Sequence, residues 1–338
     1  MVPHNMTWIK YPTLSKDSST NFEEIIFSQE VISRVMHAYI AFFVPAGLLA
    51  GILLLGIGIK NYRSHTLEKL DILFCSQTVS NILLILLSLT VAVRPAYLKL
   101  SYISCGTLSF FFNLGYFSSQ YLLILMVLSL FLSRHPPQNA LVTKACQSPK
   151  VCVGFVLMCS SCAALMLSAL LGIENYHKET DCQLDPLFAW PEYEMIKFTF
   201  GFCAPSLAGL LCFILALVKK THPSRKNSHP LSTVLVIMTT TLVCHLFYNI
   251  MILFRTSLKV KGDVGTPQNE LIMNIAEVVL FSEICLNLVV LLCLHHPYRT
   301  TLLNTIKNLS GVCRRRRDSN RSLEIQETPT GPSEMRSR

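Results

Sequence analysis

Residues 40–59 read IAFFVPAGLLAGILLLGIGI, twenty in a row without a charge. A helix needs about 20 mainly apolar residues to cross a bilayer, so this stretch is long enough to span by itself. The same reading extends it to about 36–59 and finds six more, near 70–93, 101–133, 151–173, 195–218, 231–254 and 270–294. The third, SYISCGTLSFFFNLGYFSSQYLLILMVLSLFLS, is the longest and is expected to tilt. The sixth and seventh carry His245, Asn249, Glu277, Glu283 and Asn287 among their apolar residues. The expected fold is an all-α membrane protein, a seven-transmembrane helix bundle with a short amphipathic eighth helix.

Composition agrees with that reading. Of 338 residues 51% are apolar and 14% charged, against about 25% charged in a soluble domain. So few charges cannot cover a water-soluble surface of this size. The net charge of +9 is assigned to basic membrane flanks, and no nucleic-acid partner is expected. Most of the 13 cysteines lie inside apolar runs, which argues against a disulfide scaffold. No internal repeat recurs at a fixed period, which weakens a transporter built from inverted halves.

Residues 1–34 are expected to form a tail, since no apolar run precedes the first span. Asn5-Met6-Thr7 is a glycosylation sequon, meaningful where that end faces the lumen and otherwise a chance match. Cations set the orientation. Lys60, Arg63 and Lys69 follow the first span, VKKTHPSRKNSHP joins the fifth to the sixth, and Arg314 to Arg317 stand in a row. Arg94, Lys99, Arg255, Lys259 and Lys261 lie on the other side, so the tail decides it. The N-terminus is expected outside and the C-terminus in the cytosol, in the plasma membrane.

After the bundle (35–296), Tyr298, Leu302, Leu303, Ile306 and Leu309 recur at helical spacing, which predicts an amphipathic helix over 297–312 on the cytosolic leaflet. Cys313 before RRRR suits a palmitate-type anchor beside anionic lipid, or else a purely topogenic basic run. The polar residues 313–338 are expected to be disordered.

Several segments resemble the rhodopsin-like (class A) G-protein-coupled receptors. In LNLVVLLCLHHPYRTTL, Asn287 matches the Asn of an Asn-Pro-x-x-Tyr segment, while Leu288 and Leu291 replace its Pro and Tyr. Tyr298-Arg299 falls on the aromatic-Arg pair of the family's eighth helix. CHLFY at 244–248 is similar to Cys-Trp-x-Pro-aromatic, with His245 for the Trp and Phe247 for the Pro. Pro205 stands where the family keeps a helix-kinking proline. The departures are as specific: Ser129-Leu130-Phe131 replaces Asp-Arg-Tyr, Asn81 an Asp of the second span, and Gly51 an Asn of the first; no Trp occurs in the fourth. The likeness covers roughly 35–310 and rests on topology and spacing more than on identities.

The resemblance implies a disulfide between Cys105 and Cys182. It implies a pocket and toggle at Phe112, Tyr116, His245, Tyr248 and Phe281. It gathers Asn81, Ser119, Glu283 and Asn287 around a sodium-like polar core. Two readings of Glu283 stand there, a sodium ligand or a protonated, hydrogen-bonded acid. His245 is likewise either a ligand-sensing toggle or a satisfied interior histidine. Phe112 where amine receptors hold an Asp disfavours an amine, and Phe281 where opsins carry a lysine excludes retinal. The acidic, aromatic stretch 172–197 (Glu174, Glu179, Asp181, Asp185, Glu192, Glu194, Trp190, Tyr193) fits a lid over a cationic peptide or a solvated loop. The apolar pocket below it, with Phe110 and Phe111, equally suits a lipid.

The expected function is transduction of an unknown extracellular ligand to a heterotrimeric G protein, with Arg134, Lys219, Lys220, Arg225 and Lys226 as its contacts or as topogenic charges only. A non-signalling scavenger, decoy or partner protein is the rival, and a channel or transporter a distant third. No nucleophile–base pair, phosphate loop or clustered metal ligands appear in the sequence, so no enzyme is expected.

Overall fold

A computed structural model describes residues 22–66, 68–92, 102–134, 148–170, 191–218, 228–261 and 266–307. The described elements are helices; no strand occurs among them. α1 runs Phe22–Ala38, passes through a π-helical turn Tyr39–Phe43 and continues as Val44–Arg63. α2 is Lys69–Ala92, α3 Tyr102–Arg134 and α4 Pro149–Leu170. α5 comprises Pro191–Phe198, a second π turn Thr199–Cys203 and Ala204–Val218; α6 is Ser228–Val260 and α7 Pro267–Leu294. All seven are long and apolar enough to cross a membrane.

Each helix packs on its neighbours in sequence, and α7 closes the ring on α1. α3 also meets α5 and α6, and α7 also meets α2. More than half of the apolar window of α3 (56%) and of α7 (61%) is therefore buried, against 28% of α4 and 22% of α5. The outward faces are apolar: Phe42 and Leu49 of α1, Phe155 and Met158 of α4, and Leu207 and Leu211 of α5 are all exposed. Water penalises such a surface and hydrocarbon does not.

Two local features differ from a plain rod. Each π turn ends just before or at a proline step, Pro45 and Pro205. Proline lacks an N–H and crowds the carbonyl four residues back, and one extra residue in the turn relieves both. Gly51 lets α1 approach α2, since a Cβ there would lie 2.8 Å from Ile82. At Gly201 a Cβ would stand 2.5 Å from the Tyr116 ring, so α5 touches α3 here as only a small residue allows.

Boundaries also shift. α1 begins at Phe22, inside the expected 1–34 tail, and α6 runs on to Val260. The acidic stretch does not stay a loop to residue 197, because Pro191 starts α5 and takes Glu192, Tyr193 and Glu194 into the helix. Proline at the first helical position has no N–H to leave unsatisfied. Residues 296–307 are helical, with Tyr298 buried and Leu303 and Ile306 exposed.

Candidate functional site

Helical spacing puts Phe112, Asn113, Tyr116 and Gln120 on the inner face of α3, and Thr241, His245, Tyr248 and Asn249 on the inner face of α6. α7 contributes Phe281, Glu283 and Asn287, and α5 contributes Tyr193, Glu194 and Lys197. All of these are buried. The five expected pocket residues do converge. Phe112 stacks on Tyr116 (6.4 Å between centroids) and meets Phe281 edge-on at 6.0 Å. Tyr116 stacks on His245 at 5.4 Å and 16°. Tyr248 joins them through Lys197, whose Nζ donates to the Tyr248 hydroxyl at 2.9 Å and lies 5.0–5.3 Å from the rings of Phe112, Tyr116 and Tyr248.

His245 is the hinge between this aromatic cage and a polar layer beneath it. Its Nδ1 is 3.4 Å from the Tyr116 hydroxyl, and its Nε2 is 3.2 Å from Gln120 Nε2 and 3.6 Å from Glu283 Oε2. Two nitrogens facing each other require that one donate. With a neutral imidazole protonated on Nδ1, Gln120 donates to Nε2. With the amide turned over, an imidazolium donates to Gln120 and faces Glu283. The same side chains thus satisfy two proton placements.

Glu283 Oε1 accepts from Thr241 Oγ1 at 2.5 Å and from Asn287 Nδ2, and Asn287 Nδ2 also reaches Thr241 Oγ1 at 2.9 Å. The expected four-residue polar core therefore divides. Ser119 donates to Asn81 at 3.0 Å across α2 and α3, while Glu283 and Asn287 turn to α6. For a sodium ion the donor set fits poorly, because the carboxylate is committed toward Thr241 and His245 and not toward Asn81 and Ser119. Asn287 Oδ1 is the buried oxygen left without a hydrogen-bond partner there. A cavity of about 30 Å³ adjoins His245, Gln120, Thr241 and Ser206, room for a water with polar partners.

At the end where α5 begins and α6 ends, Glu194 holds a second cluster. Its Oε1 accepts from Arg255 Nε at 2.8 Å and Lys259 Nζ at 2.7 Å, and its Oε2 from Thr256 Oγ1 at 2.8 Å. At the opposite end Asp71 Oδ1 meets His295 Nε2 at 3.2 Å, and Tyr298 packs on His295 (4.8 Å) and faces Cys75 Sγ at 3.9 Å. Burial pushes the Tyr298 phenol well above its ordinary value, with Cys75 and Asp71 adding to it.

Sequence reasoning missed Lys197, Gln120, Thr241 and His295, and read Glu194 as part of an acidic loop where it is a buried helical residue. Tyr193 and Lys197, one turn apart and just after Pro191, were the available signal for Lys197. Phe110 is half-buried and meets Phe111 edge-on at 5.4 Å, and Phe111 is exposed. Arg134 ends α3 and Cys105 lies in its first turns, described by backbone alone. Asn5, Cys182, Lys219, Lys220, Arg225, Lys226 and Cys313 lie outside the described residues. No group of three or more His, Cys, Asp or Glu that could hold a metal occurs among the described residues. No protein-family model matches the chain, and comparison with curated proteins finds no match.

Proposed function

We propose that the chain is a divergent rhodopsin-like G-protein-coupled receptor, set in the plasma membrane with its N-terminus outside. The observation that carries this reading is the unbroken contact path from the aromatic cage to the α6–α7 layer. A ligand moving Phe112 or Tyr116 acts on His245 by stacking and hydrogen bonding, and His245 faces Glu283, whose other partners are Thr241 and Asn287. A ligand that prefers one arrangement of these groups biases the relative positions of α3, α6 and α7. Here Glu283 is the acceptor of an α6–α7 latch and not an ion ligand. The partly exposed helix at 296–307 suits a segment lying on the cytosolic leaflet, with Cys313 as its acyl anchor. Arg134, Lys219, Lys220, Arg225 and Lys226 would face the G protein, and Cys105–Cys182 would tie the outer loop to α3.

The experiment is basal G-protein dissociation in transfected cells, read across all G-protein classes by energy transfer. Dissociation should rise with surface expression and fall when Lys219, Lys220, Arg225 and Lys226 are changed together to Ala. Silence across every class at normal surface expression favours the second reading, a receptor-shaped decoy or partner protein. Ser129-Leu130-Phe131 in place of Asp-Arg-Tyr is the specific observation on that side.

A further inference from the structure

Pro297 decides where α7 stops. Without an N–H it cannot bond back into the preceding turn, and its ring crowds that turn. The helix therefore breaks at His295 (φ −75°, ψ 110°) and resumes over 296–307. Both backbone groups of His295 serve the break. Its N–H closes α7 on the Leu291 carbonyl at 3.1 Å, and its own carbonyl starts the next helix by accepting from Tyr298 and Arg299 at 3.1 and 3.0 Å. The side chain of this same residue reaches a different helix, where Nε2 donates to Asp71 Oδ1 at 3.2 Å.

Asp71, Phe74 and Cys75 share one face at the start of α2, and all three meet the corner. The imidazole packs against the rings of Phe74 and Tyr298, with both centroids 4.8 Å away, and Cys75 Sγ faces the Tyr298 hydroxyl at 3.9 Å. Asp71 and His295 are 4% and 6% exposed, so the pair is shielded from water. Electrostatics favour it from both sides. Asp71 lies in the first turn of α2, where the helix dipole favours an acid, and its Oδ2 accepts from the Glu68 N–H at 3.1 Å. His295 caps the C-terminus of α7, where the dipole favours a proton on the ring. The Glu194 cluster spreads its load over three donors; here one imidazole links α2 to the hinge residue itself.

We infer that Asp71 and His295 form a latch. It holds the corner of α7 shut on α2, and it has to open before helix 296–307 and this end of α7 can shift. α7 connects the latch to the central layer, because about 12 Å of helix separates Asn287 from the corner. A turn of α7 that rearranges Glu283 and Asn287 against Thr241 therefore also pulls on His295. The closed latch keeps the bundle inactive. That role rests on the receptor reading, which puts this corner in the cytosol, but the latch itself is tested without signalling.

Amide exchange of the full-length protein in phosphatidylcholine nanodiscs is followed by mass spectrometry over 296–307 and over 275–290. Asp71→Asn keeps an oxygen for the Glu68 N–H and removes the charge. His295→Phe keeps a ring for Phe74 and Tyr298 and removes the donor. Each should speed exchange over 296–307 about tenfold, for the loss of one charge-assisted hydrogen bond, and leave 275–290 unchanged. The double variant should be no faster than the faster single. His295→Gln still offers an N–H and should fall between His295→Phe and the parent; with Asp71→Asn it carries the test if His295→Phe does not fold. Basal G-protein dissociation should rise in the freed variants. Unchanged exchange over 296–307 in both singles, equal acceleration over 275–290, or a double variant faster by the product of the two singles overturns the latch. Dissociation that falls in the freed variants overturns its role in the inactive state. Faster exchange in a protein silent toward every G protein keeps the latch and removes the receptor; coupling in the parent with exchange unmoved in the variants does the reverse.

Discussion

Glu194 and Glu283 are both glutamates with almost no exposure, 1% and 2%, and their surroundings are opposite. Glu194 is met by two cations and a hydroxyl, so both oxygens are satisfied, and Glu270 lies within electrostatic reach of the same two cations. Glu283 has a hydroxyl, an amide and an imidazole around it, and of these only His245 can carry charge. The first arrangement is a clamp: it fixes the start of α5 to the end of α6 in one geometry. The second is a shared layer of neutral donors and acceptors around one carboxylate, in which hydrogen bonds can be exchanged between α3, α6 and α7. A bundle that must change shape needs both, a rigid end to hold the helices together and a soft layer where their relation can change.

Breaking the clamp should have the largest effect. Glu194→Ala removes the acceptor shared by buried Arg255 and half-buried Lys259, and removal of one partner from a buried ion pair costs about 3–5 kcal/mol. The expected result is a sharp fall in Tm and in folded surface expression; a variant as stable as the parent would show that the cluster does not hold α5 to α6. Thr241→Val comes next. It removes the hydroxyl that bridges Glu283 and Asn287, and loss of one partner in a buried polar network costs about 1–3 kcal/mol. A thermal melt should place it between Glu194→Ala and the parent protein. If Thr241→Val costs as much as Glu194→Ala, the central layer is a second clamp and the contrast between the two fails.

The contrast itself was only partly legible in the sequence. Seven spans could be read because hydrocarbon thickness fixes the length of an apolar run, and that signal is strong. The ends could not, because hydropathy stops at the first charges while a helix need not. Glu23 and Glu24 in the first turn of α1 favour its N-terminus electrostatically and carry the helix back to Phe22. The π turns at Tyr39–Phe43 and Thr199–Cys203 leave no trace in hydropathy, although Pro45 and Pro205 mark where a regular ladder cannot continue. Within the site, spacing along one helix shows which residues share a face, so Phe112 with Tyr116 and Glu283 with Asn287 were accessible. Pairings between helices depend on how each is rotated, which spacing does not specify. That is why Asn81 and Ser119 were grouped with Glu283 although the carboxylate turns to Thr241, and why Lys197 under Tyr248 was not foreseen.

Glu283→Gln should change stability least and is the most informative about the soft layer. The amide keeps an oxygen that can accept from Thr241 and Asn287, so those two hydrogen bonds survive, and the change should cost no more than about 1 kcal/mol. What it removes is the possibility of negative charge beside His245. If that charge sets the balance between arrangements of α3, α6 and α7, basal G-protein dissociation in Glu283→Gln should shift while the melt hardly moves. Thr241→Val would lower both together. A sodium titration tests the reading of Glu283 as a latch acceptor: an ion held by Glu283 would make the Tm of the parent rise with sodium and that of Glu283→Gln indifferent to it. Equal sodium response in the two proteins leaves the carboxylate as a partner of α6. An unchanged basal signal as well would mean that the proton arrangement around His245 is structural only, and the soft layer would then have to be sought elsewhere in the bundle.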